Sequence, residues 1–369
     1  MSMQEVQSKS IDLVRFPLIL GVIFIHTYGT ELLSAGPLSG SGTVQSIYEF
    51  TRELFSQGIG RVAVPLFFLI SGFLFFLNTD FNKATYLRKL RSRSKSLLIP
   101  YLFWNISYLI FYYAASHLPV VQSFFKGADY SLEFVLSSLW GKHNPEEVNP
   151  MTYPIAYQFW FIRDLMVVVL LTPLIHLLIQ KLKQWGVCLL GVLWFFGWWP
   201  VALGCHGMSM TSLFFFYAGA YCSINRFNVA SLTRQVPKVI VYAYPILVVM
   251  DALTKGMAFN PYLHSVGILL GILFFYRIAC DHIVNRGGVK RPKLNQLLSN
   301  ASFFVFAIHE PWLLSQFRKI AVRLLHPDTY GEVLFLYLFI PLLVAATGLG
   351  LYLLLQRCAP RFLKFICGR

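Results

Sequence analysis

The chain has 369 residues, 56% of them hydrophobic and only 13% charged, with 34 phenylalanines and a mean hydropathy of +0.60. A soluble core of this length does not need so much apolar surface, so the composition excludes an ordinary soluble enzyme and indicates a polytopic membrane protein. The formal charge of +15 does not indicate nucleic acid, because the basic residues stand between apolar runs, where the positive-inside rule puts them.

Ten apolar segments are long enough, or nearly so, to cross a bilayer: 12–29, 59–77, 97–117, 157–178, 185–203, 211–224, 239–253, 263–280, 299–317 and 333–355. The predicted fold is all-α, a polytopic integral membrane protein of about ten transmembrane helices. The N-terminus carries Glu5 and Asp12, and no small-residue cleavage site follows the first run, so it reads as a retained anchor. That run holds Arg15 and His26. Ionisable groups inside a span are costly and are functional candidates by default. Eleven helical steps bring the two to one face, separated by roughly 16 Å along the axis.

The second run carries Arg61 at its outer rim and Ser71-Gly72-Phe73 further in. Arg61 is either a site residue or an interfacial anchor. Gly72 permits close backbone approach, and Ser71 offers a hydroxyl; ordinary small-residue packing explains the same pair. Between residues 83 and 95 lie six basic residues, among them Arg88, Arg91 and Arg93. Their guanidinium forks suit phosphate oxygens, although topology and anionic lipid account for them equally well. Trp140, Tyr153, Tyr157 and Trp160 flank the outer segment 118–156. They read as an interface belt, with stacking on sugar rings as the alternative.

Arg163-Asp164 opens the fourth run, either as a self-neutralised pair or as an acceptor-binding element. Arg277 lies late in the eighth run. His309-Glu310 sits near the middle of the ninth, followed by Pro311, which removes a backbone donor and predicts a kink. With the N-terminus inside, twenty Lys and Arg fall in cytoplasmic loops and seven outside, Arg318 among the seven. Both termini are therefore expected in the cytoplasm. The six cysteines show no metal-like spacing, and no metal site is expected.

This topology puts cations toward the cytoplasm and imidazole with carboxylates toward the outside, as expected for a polyanionic donor meeting a hydroxyl acceptor. His26 is the natural general base, with Asp164 or Glu310 available to fix its tautomer. The order and spacing of these pieces resemble the acyltransferase-3 family of integral-membrane acyltransferases that modify bacterial cell-surface glycans. The resemblance runs over nearly the whole chain. Its specific parts are Arg15 and His26 with ten residues between them, Val64-Pro-Leu-Phe-Phe-Leu-Ile-Ser-Gly-Phe73, the basic stretch before Pro100-Tyr101, and His309 within Phe306-Ala-Ile-His.

The resemblance implies an acyl-CoA donor, typically acetyl-CoA, used as co-substrate and taken from the cytoplasm. It makes His26 the expected catalytic residue, with Arg15 supporting catalysis or donor binding. On this reading Arg88, Arg91, Arg93 and Arg277 hold coenzyme A. Ser71, Gly72, Arg61, Arg163, Asp164, His309 and Glu310 contact acceptor or oxyanion. Transfer runs either directly to the hydroxyl or through acyl-His26. One domain over 1–369, with no fused soluble domain, is expected in the cytoplasmic (inner) membrane. Its expected partners are membrane lipids, a glycan acceptor and proteins of surface-polysaccharide biosynthesis. A glycan transporter or flippase is the main alternative; it predicts discontinuous helices or an internal repeat, and no repeat is seen. A non-catalytic scaffold leaves Arg15 and His26 unexplained.

Overall fold

The computed structural model describes residues 1–29, 38–39, 42–117, 131–141, 152–200, 203, 207–289 and 291–369. These residues are helical almost throughout, and an isolated bridge joins Ser39 and Thr329. Five helices are long and apolar enough to span a membrane: Gly42–Phe76, Lys83–Ser116, Asn260–Asn285, Pro292–Leu325 and Tyr330–Cys358. The number becomes seven if each of two bent pairs is one span. On length and composition, then, between five and seven of the ten predicted spans stand among the described residues.

The differences have local causes. The predicted span 157–178 is bent by 64° at Leu171, next to Pro173, which cannot continue the hydrogen-bond ladder of the preceding turn. Before 239–253 the chain bends by 93° between Val229–Gln235 and Lys238–Leu253, at extended Val236 followed by Pro237. Segments 185–203 and 211–224 yield the short apolar helices Gln184–Phe195 and Met210–Ile224. The second span begins at Gly42 rather than 59, because a π-turn at Glu53–Ile59 joins an amphipathic helix to the apolar one. The basic stretch is the helix Lys83–Arg93, continuous through the turn Ser94–Leu98 with Ile99–Ser116.

By their contacts the residues fall into two compact units, each discontinuous in sequence. The first comprises Met1–Ile70 and Cys222–Leu354; the second comprises Ser71–Tyr221 and Leu355–Arg369. In the first unit, helix Met3–His26 starts from a capping box in which Ser2 and Glu5 satisfy each other's amides. Val6, Ser10, Val14, Leu18 and Val22, spaced by four, form its buried stripe. That stripe lies against Pro292–Ile308 and Asn260–Asn285. Gly60 lets the chain come close to this helix: a Cβ there would stand 2.8 Å from the Gly21 carbonyl oxygen. In the second unit Gly72 has the same use, since a Cβ would fall 2.0 Å from the Phe216 carbonyl oxygen.

Candidate active site

The C-terminal end of Met3–His26 is held with unusual completeness. A helix leaves its last four carbonyls without intrahelical partners. Here Ile23 O accepts from the Thr27 amide at 3.1 Å and from the Thr27 hydroxyl at 2.8 Å. Phe24 O accepts from the buried Ser56 hydroxyl, which is also 2.7 Å from Tyr337 Oη. Ile25 O accepts from Tyr28 N at 3.3 Å, and His26 O accepts from Arg318 Nη1 at 2.9 Å. A cation at this end also opposes the negative pole of the helix. The His26 side chain therefore projects from a fixed backbone, half-buried.

Arg318 reaches a second partner. Its Nη2 donates to Glu310 Oε1 at 2.9 Å, and both side chains are almost wholly buried. Ser315 donates to the other carboxylate oxygen at 2.6 Å. The pair spans the interruption that Pro311 predicts: residues His309–Leu313 form a π-turn, and Glu310 is extended at φ −127°, ψ 144°. The break swings His309 toward the first helix, with its ring centroid 5.1 Å from that of His26. His309 is fully buried; its Nδ1 bonds to the Phe306 carbonyl oxygen, while Nε2 has no hydrogen-bond partner among the described residues. Because a carbonyl only accepts, Nδ1 carries the proton and Nε2 presents a lone pair. Two imidazoles side by side, His309 wholly buried and His26 partly so, make proton transfer the chemistry this end of the helix can perform.

A family profile described as an acyltransferase domain matches residues 8–355, both compact units included. The chain belongs to the acyltransferase-3 family. This acyltransferase is also 26% identical to the "Succinoglycan biosynthesis protein ExoH" of Rhizobium meliloti (strain 1021), over 98% of its own length and 92% of the relative's. No solved structure matches it.

The other predicted site residues of the acyltransferase fall in different settings. Arg15 pairs with Asp12 at 3.0 Å and bonds Ser299 at 3.3 Å, both through Nη1, and its side chain is about a third exposed. Arg61 is exposed and bonds Gln57 at 2.8 Å. Arg277 is buried, bonded to Asp281 at 2.6 Å and to the Thr233 carbonyl at 2.9 Å, which ties two helices together.

Ser71, Gly72, Arg163, Asp164 and the basic helix belong to the second unit. Gly72 is a helix-packing residue there. It lies inside helix Ala63–Phe76, whose ladder uses its amide, so no backbone donor at Gly72 faces an oxyanion. Ser71 beside it is half-buried. Arg163 and Asp164 are completely buried. Arg163 bonds Asp164, the Trp140 carbonyl at 2.9 Å and the Thr152 carbonyl at 2.8 Å, while Asp164 accepts from Ser209 N. This is a self-neutralised pair tying loop backbone, the structural alternative of the two read from sequence. Arg88 and Arg91 are exposed on one face of their helix, and Arg93 is half-buried.

Glu310, one of the two carboxylates read from sequence as available to orient His26, meets Arg318 and Ser315. Arg318, Ser56 and Tyr337 are the site residues that sequence reading missed. For Arg318 a signal existed: Leu314 lies four residues before it, so the arginine shares the buried face of an amphipathic helix.

Proposed function

We propose that this membrane acyltransferase moves an acyl group, acetyl being the usual one in its family, from cytoplasmic acyl-CoA to a hydroxyl of a cell-surface glycan or related extracytoplasmic acceptor. The observation that carries the reading is the imidazole pair at the anchored end of the first helix, with Arg15 about 16 Å away along the same helix. His26 takes the acceptor proton, the hydroxyl oxygen attacks the thioester carbonyl, and the coenzyme A thiolate leaves. Arg15, partly exposed with guanidinium nitrogens beyond Nη1, attracts the phosphates of a long anionic donor. Arg88 and Arg91 give their own unit an exposed cationic face of the same chemistry. The succinoglycan biosynthesis relative supports a carbohydrate acceptor and a place among surface-polysaccharide proteins.

On this reading the first helix and the two short apolar helices cross the inner membrane along with the five spans and the two bent pairs, ten crossings in all, and the lysine and arginine distribution supports cytoplasmic termini. Broken helices, which the transport alternative predicts, are present. The family assignment favours acyl transfer over transport. Acyl-CoA should accordingly raise the denaturation midpoint of the purified protein, whereas a glycan transporter should show no such response.

Mass analysis of surface glycan from the parent strain, a deletion strain and a strain carrying His26→Ala tests the function. The parent should carry an acyl increment that both others lack. Identical glycan in parent and deletion strain would refute the proposal.

A further inference from the structure

We infer that His309 is the positioning partner of His26, a second imidazole standing where hydrolytic triads place a carboxylate. The inference rests on the acyl-transfer reading above and assigns the origin of the base's reactivity. A general base needs one nitrogen unprotonated toward the hydroxyl, and therefore an acceptor for the N–H on the other side of its ring. Glu310, bonded to Arg318 and Ser315, balances the guanidinium charge beside the two rings. His309 offers a lone pair toward His26. Its tautomer is set by the Phe306 carbonyl, its Nε2 is buried without a hydrogen-bond partner among the described residues, and the His26 ring centroid is 5.1 Å away at a 47° tilt.

With the ring centroids 5.1 Å apart, an N–H of His26 directed at Nε2 lies within hydrogen-bond reach. Because His309 is wholly buried whereas His26 is not, a substrate hydroxyl meets His26 and not His309. Nε2 thus acts through the neighbouring ring. In the transfer step the hydroxyl proton passes to His26, the new C–O bond forms and the C–S bond breaks. The positive charge on His26 is stabilised by the N–H···Nε2 bond until the proton is returned to the departing sulfur. No further reactant is needed.

The Arg318 clamp keeps the two rings together, since one guanidinium holds the His26 carbonyl and the carboxylate next to His309.

Glutamine places a carbonyl oxygen where Nε2 stands, whereas asparagine reaches only as far as Nδ1, and leucine accepts nothing. Purified wild type, His309→Gln, His309→Asn, His309→Leu and His26→Ala would be assayed for acetyl-CoA-dependent acylation of glycan from the deletion strain. We expect His309→Gln to keep kcat within about tenfold of wild type, and His309→Asn and His309→Leu to lose about a hundredfold or more, with KM for acetyl-CoA unchanged in all three. Equal losses in the glutamine and leucine variants, or wild-type rates in the leucine variant, would overturn the positioning role while leaving the function intact. Absence of transfer by wild type would overturn the function itself.

Discussion

At the scale of single residues, Arg318 does the most with one side chain. It neutralises a buried carboxylate and caps the helix that carries His26. Removing one partner of such a pair leaves a charge without compensation, which typically costs about 3–5 kcal/mol. Arg318→Met should therefore lower the denaturation midpoint in detergent markedly, and adding Glu310→Leu should recover much of the loss, because a buried pair replaced by apolar groups is often near neutral. A double variant no more stable than Arg318→Met would contradict the ion-pair account. Lysine has no planar fork, so Arg318→Lys should fold yet lose one of the two contacts, with acyl transfer reduced about tenfold or more. His26, His309 and Glu310 are legible in sequence because ionisable groups in apolar runs are rare. Arg318 is not legible in this way: it follows the apolar run and counts as one more external cation until the fold turns it inward.

At the scale of elements, two glycines position the helices and a third allows a control. A Cβ at Gly72 would meet the Phe216 carbonyl oxygen at 2.0 Å, backbone that cannot yield without moving a helix. A Cβ at Gly267 meets nothing within 4 Å. Gly72→Ala should therefore destabilise by about 1–3 kcal/mol or more through overpacking. Gly267→Ala should be neutral or stabilising by up to about 1 kcal/mol, from helix propensity. Denaturation midpoints of the two variants, measured side by side, check the sign of each.

Pro311 illustrates what local chemistry reveals, since its missing donor predicts the interruption found at His309–Leu313. The turns at Glu53–Ile59 and Ser94–Leu98 were hidden for the opposite reason. Nothing in their residue types forbids an ordinary helix, and tertiary packing selects the wider winding. Helix Lys83–Arg93 read as a loop because hydropathy reports lipid contact rather than helicity. Its Asn82 cap, bonded to Thr85 N at 2.9 Å, is a start signal an apolar-run search does not register.

At the scale of the whole molecule, charge distribution and donor chemistry meet. Arg88 and Arg91 are exposed and share a face. If that face attracts the phosphates of coenzyme A, Arg88→Gln with Arg91→Gln should raise KM for acetyl-CoA several-fold, with a smaller effect at high salt, and leave kcat nearly unchanged. An unaltered KM would restrict these residues to topology and lipid contact. Composition and charge pattern made the membrane class and helical fold readable, because both reflect bulk transfer energies. The course of single spans was not readable in the same way, since the bend at Leu171 interrupts the run 157–178, which looks continuous in hydropathy.

The most direct test of the central claim is transfer of labelled acetyl from acetyl-CoA to unmodified glycan by purified protein, wild type against His26→Ala. Wild type should label the glycan, and the variant, equally folded and equally stabilised by coenzyme A, should do so about 10²–10⁴-fold more slowly. Equal labelling by the two proteins would contradict the account.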